Sequence, residues 1–158
     1  YGTDGKANSK VSNSAGTGTT KTEGALWNGI TQMNASTASN DLYTTATTDL
    51  INSYAWDTAI VYIQQFSGNT DYSYQCTKNT KIANTGTNGD EVCKINDMAS
   101  NSFEWTTEYS THTTSSSAYA CTTRGGGYYI PLYYTSARFD TTPETSLYYY
   151  SFRPILYM

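Results

Sequence analysis

The sequence has few aliphatic side chains, and much of its hydrophobic character comes from tyrosine. Hydrophobic residues make up 37% of the 158 residues, and this fraction includes 16 tyrosines. A chain of this length is long enough for one domain with a core and short for two. We therefore expect a single domain whose small aliphatic core is completed by aromatic rings.

Lysine is missing from the C-terminal part of the chain: none follows Lys94, and the later cations are Arg124, Arg138 and Arg153. The formal net charge is −4. Nucleic-acid binding needs clustered basic residues that neutralise phosphates, so we expect no nucleic-acid partner.

Long apolar runs are missing as well. None approaches the roughly 20 residues that a membrane-spanning helix requires, so we expect no membrane span.

Cysteine and histidine are too scarce for several kinds of site. Cys76, Cys93 and Cys121 cannot all pair within one chain, which argues against a disulfide-stapled scaffold. One bridge between Cys76 and Cys93 and three free thiols both remain open. The single histidine, His112, lies in a Thr/Ser-rich run that we interpret as an exposed loop. The motifs of serine hydrolases, P-loop proteins and zinc sites are absent.

The chain divides by composition into a polar start and a longer remainder. Residues 1–24 are almost entirely Gly, Ser, Thr, Asn, Lys and Ala, which cannot bury enough apolar surface to offset the cost of ordering. We predict a polar linker or long loop for residues 1–24 and one domain for residues 25–158. Residues 34–49 are again rich in Ser, Thr, Asn and Ala and have no helical periodicity.

One helix is clearly predicted, over residues 53–68. Ser53 can cap its start and Gly68 can end it. Apolar side chains recur at helical spacing and predict one buried stripe. The stripe consists of Trp56, Ala59, Ile60, Ile63 and either Phe66 or Gln64.

Strand patterns follow the helix, and together they indicate an α+β domain. Residues 67–91 are polar and rich in turn residues, so we predict a surface loop. Phe103 and Trp105 alternate with polar neighbours as in a half-buried strand. Residues 150–158 also resemble a strand, in which Pro154 requires an edge position or a bulge.

Five short signatures occur in order along the chain. They are Trp56–Asp57 within the helix, NDMASNSFEW at 96–105, RGG at 124–126, SAR at 136–138 and SFR at 151–153. In this order the chain resembles the formylglycine-generating-enzyme (sulfatase-modifying factor) branch of the C-type lectin-like fold, over roughly residues 50–156. The family pattern has glycine where this chain has Ser100 and Ser151. The resemblance implies an α+β fold of that subtype, with short antiparallel strands, one clear helix and much irregular structure.

The resemblance does not extend to the residues that carry catalysis in the family. The oxidising enzymes use two cysteines soon after the RGG segment, and residues 127–138 contain none. Iron-dependent relatives need a histidine cluster, and this chain has one histidine. We therefore expect a protein that is not an enzyme and requires no cofactor.

Asn101 and Glu104 match family positions that help to hold a structural calcium ion. Alternatively, Asn101 caps a turn and Glu104 accepts hydrogen bonds from buried amides.

Tyrosine runs fill the segments between the family's structural motifs. Nine of the 16 tyrosines lie in the last forty residues. In the family fold these segments form the surface that faces a ligand. Neighbours in an extended chain point to opposite sides, so consecutive tyrosines cannot all be buried. Exposed aromatic patches usually mark interaction sites, and binding loops favour tyrosine.

The same branch of the fold includes the variable proteins of diversity-generating retroelements, which are found in phages and bacteria. These systems randomise codons in this C-terminal region by replacing template adenines, which excludes Lys, Glu, Gln, Met and Trp at varied positions. Residues 127–135 contain none of the five. Glu144 would have to be an unvaried position.

These observations predict a noncatalytic ligand-binding domain with a variable, tyrosine-rich face, on a virion or a bacterial cell surface. The expected ligand is a protein or glycan on a host cell. The alternative is a structural virion or assembly protein, a homo-oligomer or part of a larger virion assembly, in which the aromatic face is a subunit contact. The predicted face consists of Tyr128, Tyr129, Ile130, Leu132, Tyr133, Tyr134, Phe139, Asp140, Leu147, Tyr148, Tyr149 and Tyr150.

Overall fold

The structure is a computed structural model that describes residues 30–43, 45–76, 85–86, 89–110, 121–127, 133–147 and 149–157. Within these ranges the protein is a mixed α+β structure, as the sequence predicts. The predicted linker over residues 1–24 and the loop around His112 lie outside them. The elements are α1 (Gln32–Asn40), β1 (Thr47–Leu50), α2 (Ser53–Ser67), a 3-10 turn (Tyr72–Tyr74), β2 (Glu91–Val92), β3 (Ile95–Asn96), β4 (Phe103–Tyr109), β5 (Cys121–Arg124), β6 (Arg138–Thr141), β7 (Tyr150–Phe152) and β8 (Pro154–Tyr157).

The largest sheet has four strands in the order β6-β5-β4-β7. Strand β4 pairs antiparallel with β5 and parallel with β7, so that Trp105 lies between Thr123 and Phe152. Two smaller antiparallel ladders, β1-β8 and β2-β3, flank this sheet. The four-stranded sheet is therefore the largest regular element, and short strands and irregular connections make up much of the rest of the described chain.

Helix α2 forms where the sequence predicts it. It ends at Gly68, whose φ of 76° is left-handed and suits a residue without a Cβ. The N-cap is Asn52, not the predicted Ser53: the Asn52 side chain accepts a hydrogen bond from the Ala55 amide at 2.8 Å. Trp56, Ile60 and Ile63 are buried as predicted.

Strand β4 is buried on both faces over its first half, so the prediction of a half-buried strand is wrong. Phe103 and Trp105 are buried, and so are Glu104 and Thr106 on the opposite face. The reason is its central position: β5 and β7 cover its two edges, and other elements cover both faces. Polar side chains therefore become core residues and need internal partners.

Helix α1 and strand β1 fall largely in residues 34–49, the polar stretch in which the sequence has no helical periodicity. Thr31 caps α1 by accepting a hydrogen bond from the Asn34 amide. The helix buries small residues, Ala35, Ala38 and Ser39, and the Ser39 hydroxyl donates to the Ala35 carbonyl at 2.8 Å. Small side chains allow close packing without an apolar stripe, which is why periodicity did not reveal this helix.

Two apolar clusters form the core. The first contains Ile51, Trp56, Ile60, Ile63, Tyr72, Met98 and Ala99, and the second contains Ile30, Ala35, Leu50 and Trp105. Tyr72 and Asp90 are buried, although the sequence placed residues 67–91 in a surface loop. Aromatic rings complete both clusters, in line with the scarcity of aliphatic residues.

The C-terminal segment forms two strands rather than one, because the pairing changes at Arg153. Strand β7 pairs with β4, whereas β8 pairs with β1 and begins at Pro154. Proline at the first position of a two-stranded ladder removes no essential amide donor, and the edge position predicted for Pro154 is confirmed. Among the described residues, no helix has the length and apolar character needed to cross a membrane.

Candidate functional site

The RGG segment turns the chain sharply at the end of β5. Gly125 has a φ of 89°, in the left-handed region. A Cβ on Gly126 would lie 2.5 Å from the Ala99 carbonyl oxygen, which is closer than real Cβ contacts. Paired glycines permit such a turn because they have no Cβ to meet the neighbouring backbone. The turn brings the chain directly past Phe103, since a Cβ on Gly127 would lie 3.0 Å from its ring.

Six aromatic residues, with Phe103 at the centre, form what we call the aromatic cluster. Ring centroids lie 5.5 Å apart for Phe103 and Tyr133 and 5.1 Å apart for Phe103 and Phe139. The pairs meet edge to face, the arrangement that ring quadrupoles favour. The cluster consists of Phe103, Trp105, Tyr133, Phe139, Tyr149 and Tyr150.

Burial decreases outward through the aromatic cluster. Phe103 and Trp105 are buried, whereas Tyr133, Tyr149 and Tyr150 are half-buried. Burial raises the pKa of the Tyr150 hydroxyl, and a hydrogen bond with Thr141 opposes that rise. The outer tyrosines therefore both complete the core and present ring surface, so neither the core-filling nor the binding interpretation describes them fully.

Tyr134 belongs to a second, exposed feature, the tyrosine pair Tyr74 and Tyr134. Their rings are 5.8 Å apart, edge to face, and they are 69% and 48% exposed. Exposed rings that contact each other form a larger apolar surface than scattered ones. The sequence analysis missed Tyr74 because it lies in a polar, turn-rich stretch far from the C-terminal tyrosines.

A fixed backbone contact positions the tyrosine pair. The Thr135 amide donates to the Gln75 carbonyl at 3.0 Å, and the Ser136 amide donates to the Ser73 carbonyl at 3.1 Å. The Trp56 indole in α2 donates to the Thr135 carbonyl at 3.0 Å. Thr135 is fully buried at the start of a turn that the Ala137 amide closes by donating to the Tyr134 carbonyl at 2.9 Å, while the exposed Tyr134 ring contacts Tyr74.

Five of the twelve residues predicted for the binding face come together in the structure. Tyr133, Phe139, Tyr149 and Tyr150 belong to the aromatic cluster, and Tyr134 belongs to the tyrosine pair. Leu147 is half-buried in the turn before β7, where its carbonyl accepts from the Tyr150 amide at 2.9 Å. Five more lie outside the described residues: Tyr128, Tyr129, Ile130, Leu132 and Tyr148.

Asp140 lies on the opposite face of the sheet from the aromatic cluster. It alternates with Phe139 along β6, so the two side chains point away from each other. The Ser110 hydroxyl donates to the Asp140 carboxylate at 2.5 Å. The structure therefore separates Asp140 from the aromatic residues with which the sequence analysis grouped it.

A network of ion pairs occupies that opposite face, between the sheet and α2. The buried Arg124 contacts Asp57 at 2.5 Å and Glu108 at 3.5 Å. Arg138 contacts the same two carboxylates at 2.6 and 3.2 Å. Ser53 donates to Glu108 as well. Burial lowers the pKa of Arg124, and its bond to Asp57 opposes that shift. This network joins the RGG and SAR motifs to the start of α2.

The two residues predicted to hold calcium have protein partners. Arg153 donates to both carboxylate oxygens of Glu104, and the Asn101 side-chain amide donates to Asp97 at 3.3 Å. Burial raises the pKa of Glu104, and the Arg153 charge opposes that rise. A calcium ion bound by Glu104 would therefore compete with a guanidinium group. Among the residues that the structure describes, no three His, Cys, Asp or Glu side chains are grouped as metal ligands.

Cys76, Cys93 and Cys121 are free thiols, so the bridge between Cys76 and Cys93 is not formed. Burial raises the pKa of Cys76, opposed by a hydrogen bond from the Tyr133 backbone. Burial also raises the pKa of Cys121, and the negative charge of Glu144 adds to that effect. A protonated thiol is a poor nucleophile.

Comparison with known proteins gives no match. The chain fits no protein-family model, and no curated protein or solved structure is significantly similar to it. The arrangement of the side chains is therefore the basis for functional inference. It offers a tyrosine-rich surface, next to a rigid glycine turn, that can contact a ligand through apolar ring area and phenol hydroxyls.

Proposed function

We propose that this protein is a noncatalytic recognition domain that binds its ligand with the tyrosine pair and the outer rings of the aromatic cluster. The observation that carries the proposal is the contact between Tyr74 and Tyr134, two exposed rings from distant parts of the chain. Tyrosine offers a large contact area with few rotatable bonds, so ordering it on binding costs little entropy. Such residues are enriched among those that dominate binding energy.

The rigidity of the supporting segments favours this function. Thr135 is buried and hydrogen-bonded by Gln75 and Trp56, so Tyr134 is held in position before a ligand arrives. Pre-organised contact residues bind more tightly because less conformational freedom is lost. Core residues lie directly under the face, since Phe103 packs against Tyr133 and Tyr149.

We further propose that the fold is the formylglycine-generating-enzyme subtype of the C-type lectin-like fold, as in variable proteins of diversity-generating retroelements. The contacts of the motif residues support this proposal. Arg124 and Arg153 make ion pairs with buried or half-buried carboxylates, and the RGG glycines allow close backbone contact. The ligand is then a protein or glycan on a host cell, and the protein acts at a virion or bacterial surface.

Binding to intact cells tests the recognition function. The full chain, fluorescently labelled, is titrated onto a panel of bacterial strains and onto a glycan array. The native chain should bind, and Tyr74→Ala and Tyr134→Ala should each bind at least about tenfold more weakly, as expected for residues that dominate an interface. Tyr109→Ala is the matched control, because Tyr109 has the same 69% exposure as Tyr74 and lies at the end of β4.

Two outcomes would overturn the proposal. Binding that survives both substitutions would show that the tyrosine pair is not the contact surface. A stable oligomer that protects Tyr74 and Tyr134 from chemical modification would favour the assembly function instead. The genomic neighbourhood tests the retroelement relation separately: a near-identical repeat that differs at adenines, beside a reverse transcriptase gene, is the expected finding.

A further inference from the structure

Helix α2 has an exposed apolar face that contributes nothing to the core. Tyr54 is 87% exposed, Val61 63%, Tyr62 46% and Phe66 69%. The rings of Tyr62 and Phe66 are 4.9 Å apart. The buried stripe of the same helix, Trp56, Ile60 and Ile63, lies on its other side. The sequence predicted either Phe66 or Gln64 in the buried stripe; Phe66 is exposed and Gln64 is half-buried, so Phe66 is not a core residue.

The exposed residues form a continuous row along the helix. Tyr54, Thr58, Tyr62 and Phe66 follow one another at a spacing of four, so they are neighbours on one side of α2. Val61 and Gln65 lie beside this row and are exposed too. We call these six residues the α2 face. Contiguous exposed apolar surface of this kind marks an interaction site rather than ordinary surface variation.

The α2 face carries no charge. The one charged residue of α2, Asp57, lies one turn before Val61, and its carboxylate contacts Arg124 and Arg138. The partner surface of the α2 face must be uncharged and apolar as well, because buried unpaired charges are costly.

We propose that the α2 face binds the α2 face of a second copy of this protein, forming a twofold-symmetric dimer. In a twofold interface the same patch serves both subunits, so residue i contacts j while j contacts i. Antiparallel pairing about the middle of α2 brings Tyr54 of each copy near Phe66 of the other. It also brings the small Thr58 opposite Tyr62, and Val61 next to its own counterpart.

The available area fits a weak, reversible dimer. From their exposed fractions, the three rings and the valine present roughly 500 Å² per copy, or roughly 1,000 Å² in total, at the lower limit for a specific interface. The dimer does not depend on the proposed recognition function, because it uses neither Tyr74 nor Tyr134. It would present two tyrosine pairs per particle and raise avidity for a repetitive cell surface.

Sedimentation equilibrium on a charge-swapped pair tests the dimer. The full native chain is measured from about 1 μM to about 1 mM, which covers weak, reversible association. Val61→Glu and Val61→Lys should each weaken self-association at least about tenfold, because like charges then meet across the twofold axis. An equimolar mixture of the two variants should restore association, since the opposite charges attract.

The matched control is Met33→Glu, which places the same charge on an apolar side chain of α1 that is 73% exposed. It should leave self-association unchanged. Phe66→Ser gives an independent readout without added charge and should also weaken the dimer. A native chain that stays monomeric at the highest concentration would overturn the proposal. So would a dimer that survives both Val61 variants, or a mixture of the folded variants that fails to associate.

Discussion

Arg153 donates from Nε and Nη2 to the two carboxylate oxygens of Glu104, at 2.8 and 2.9 Å. The same guanidinium group donates to the Asn96 carbonyl at 2.7 Å and lies 5.8 Å from the Trp56 ring centre. Arg153, which lies between β7 and β8, therefore connects strand β4, the β2-β3 ladder and helix α2. The planar fork of arginine suits this task, and lysine could not replace it.

Removing Arg153 should destabilise the protein strongly. Arg153→Ala would leave the buried Glu104 carboxylate without its cation, and breaking a buried pair in this way costs about 3–5 kcal/mol. Urea denaturation followed by circular dichroism measures the loss. Glu104→Gln in the Arg153→Ala background should recover part of the lost stability, because the glutamine left in place of Glu104 is neutral.

The control is Lys94→Ala, which removes an exposed pair with Glu91 and should change nothing measurable. A loss below about 1 kcal/mol in Arg153→Ala would contradict this role.

Gly126→Ala should cost more stability than Gly68→Ala. The added methyl group at 126 would meet the Ala99 backbone oxygen at 2.5 Å, so the backbone itself would have to move. We expect a loss of about 3 kcal/mol, at the upper end for overpacking. Gly68 has open space but a φ of 76°, and strain alone predicts about 1 kcal/mol there. Equal losses in the two variants would show that the RGG turn is less crowded than the structure indicates.

The stability contribution of Asp97 should decrease as the pH rises. Burial raises the pKa of Asp97, and the nearby Asp90 raises it further, while hydrogen bonds from Gly86 and Asn101 and the charge of Arg153 oppose the rise. The folded state therefore holds the Asp97 proton more tightly than the unfolded state, in which aspartate titrates near pH 4. The contribution is complete below that pH and is lost as the pH rises through the higher pKa of the folded state.

The measurement for Asp97 is a series of urea unfolding curves for the native protein and Asp97→Asn. The free energy of unfolding of the native protein minus that of the variant should fall from about pH 4 upwards. A difference that stays flat, or that grows with pH, would show that the pKa of Asp97 is not raised by folding.

The thiols of Cys76 and Cys121 should react slowly in the folded protein. Burial raises both pKa values, which lowers the thiolate fraction at neutral pH. Cys93→Ser/Cys121→Ser isolates Cys76, and Cys76→Ser/Cys93→Ser isolates Cys121. Alkylation by iodoacetamide, followed by mass spectrometry, should be slower in the folded variant than in the same variant in urea. Faster reaction in the folded state would instead indicate an activated thiol and would reopen the enzymatic interpretation.

The tyrosines should separate into those that stabilise the fold and those that do not. Tyr150 packs against Phe103 and Trp105, so Tyr150→Ala should lower the free energy of unfolding by about 2–3 kcal/mol. Tyr134 contacts Tyr74 at the surface, and Tyr134→Ala should change stability by less than about 0.5 kcal/mol. Thermal unfolding distinguishes the two. A large loss in Tyr134→Ala would assign that ring to the core and leave the proposed face without its most exposed C-terminal residue.

Local patterns predicted the parts of the structure that depend on near neighbours in the chain. The spacing of Trp56, Ile60 and Ile63 predicted α2 and its buried side, and Gly68 predicted its end. Pro154 predicted an edge position because proline lacks an amide proton. Helix α1 escaped prediction because its buried residues are Ala and Ser, which give no hydrophobic periodicity.

The candidate site was predicted in part. Consecutive tyrosines indicated that some rings must be exposed, and Tyr134 is exposed. Alternation alone could not say which tyrosines would find a partner in the core, and Tyr133, Tyr149 and Tyr150 did so by packing around Phe103. Alternation also could not predict the contact with Tyr74, which lies sixty positions before Tyr134. Backbone hydrogen bonds between these two distant segments place the two rings next to each other.

The amino-acid sequence by itself determined the composition of the core, the course of α2 and the turn at the RGG glycines, because each depends on the chemistry of a few adjacent residues. Only the tertiary structure decided which polar groups are buried and which rings face outwards. Those outcomes depend on what packs against each side chain from elsewhere in the chain. Glu104 is buried because Arg153 reaches it, and Phe66 is exposed because nothing in the described part of the chain covers it.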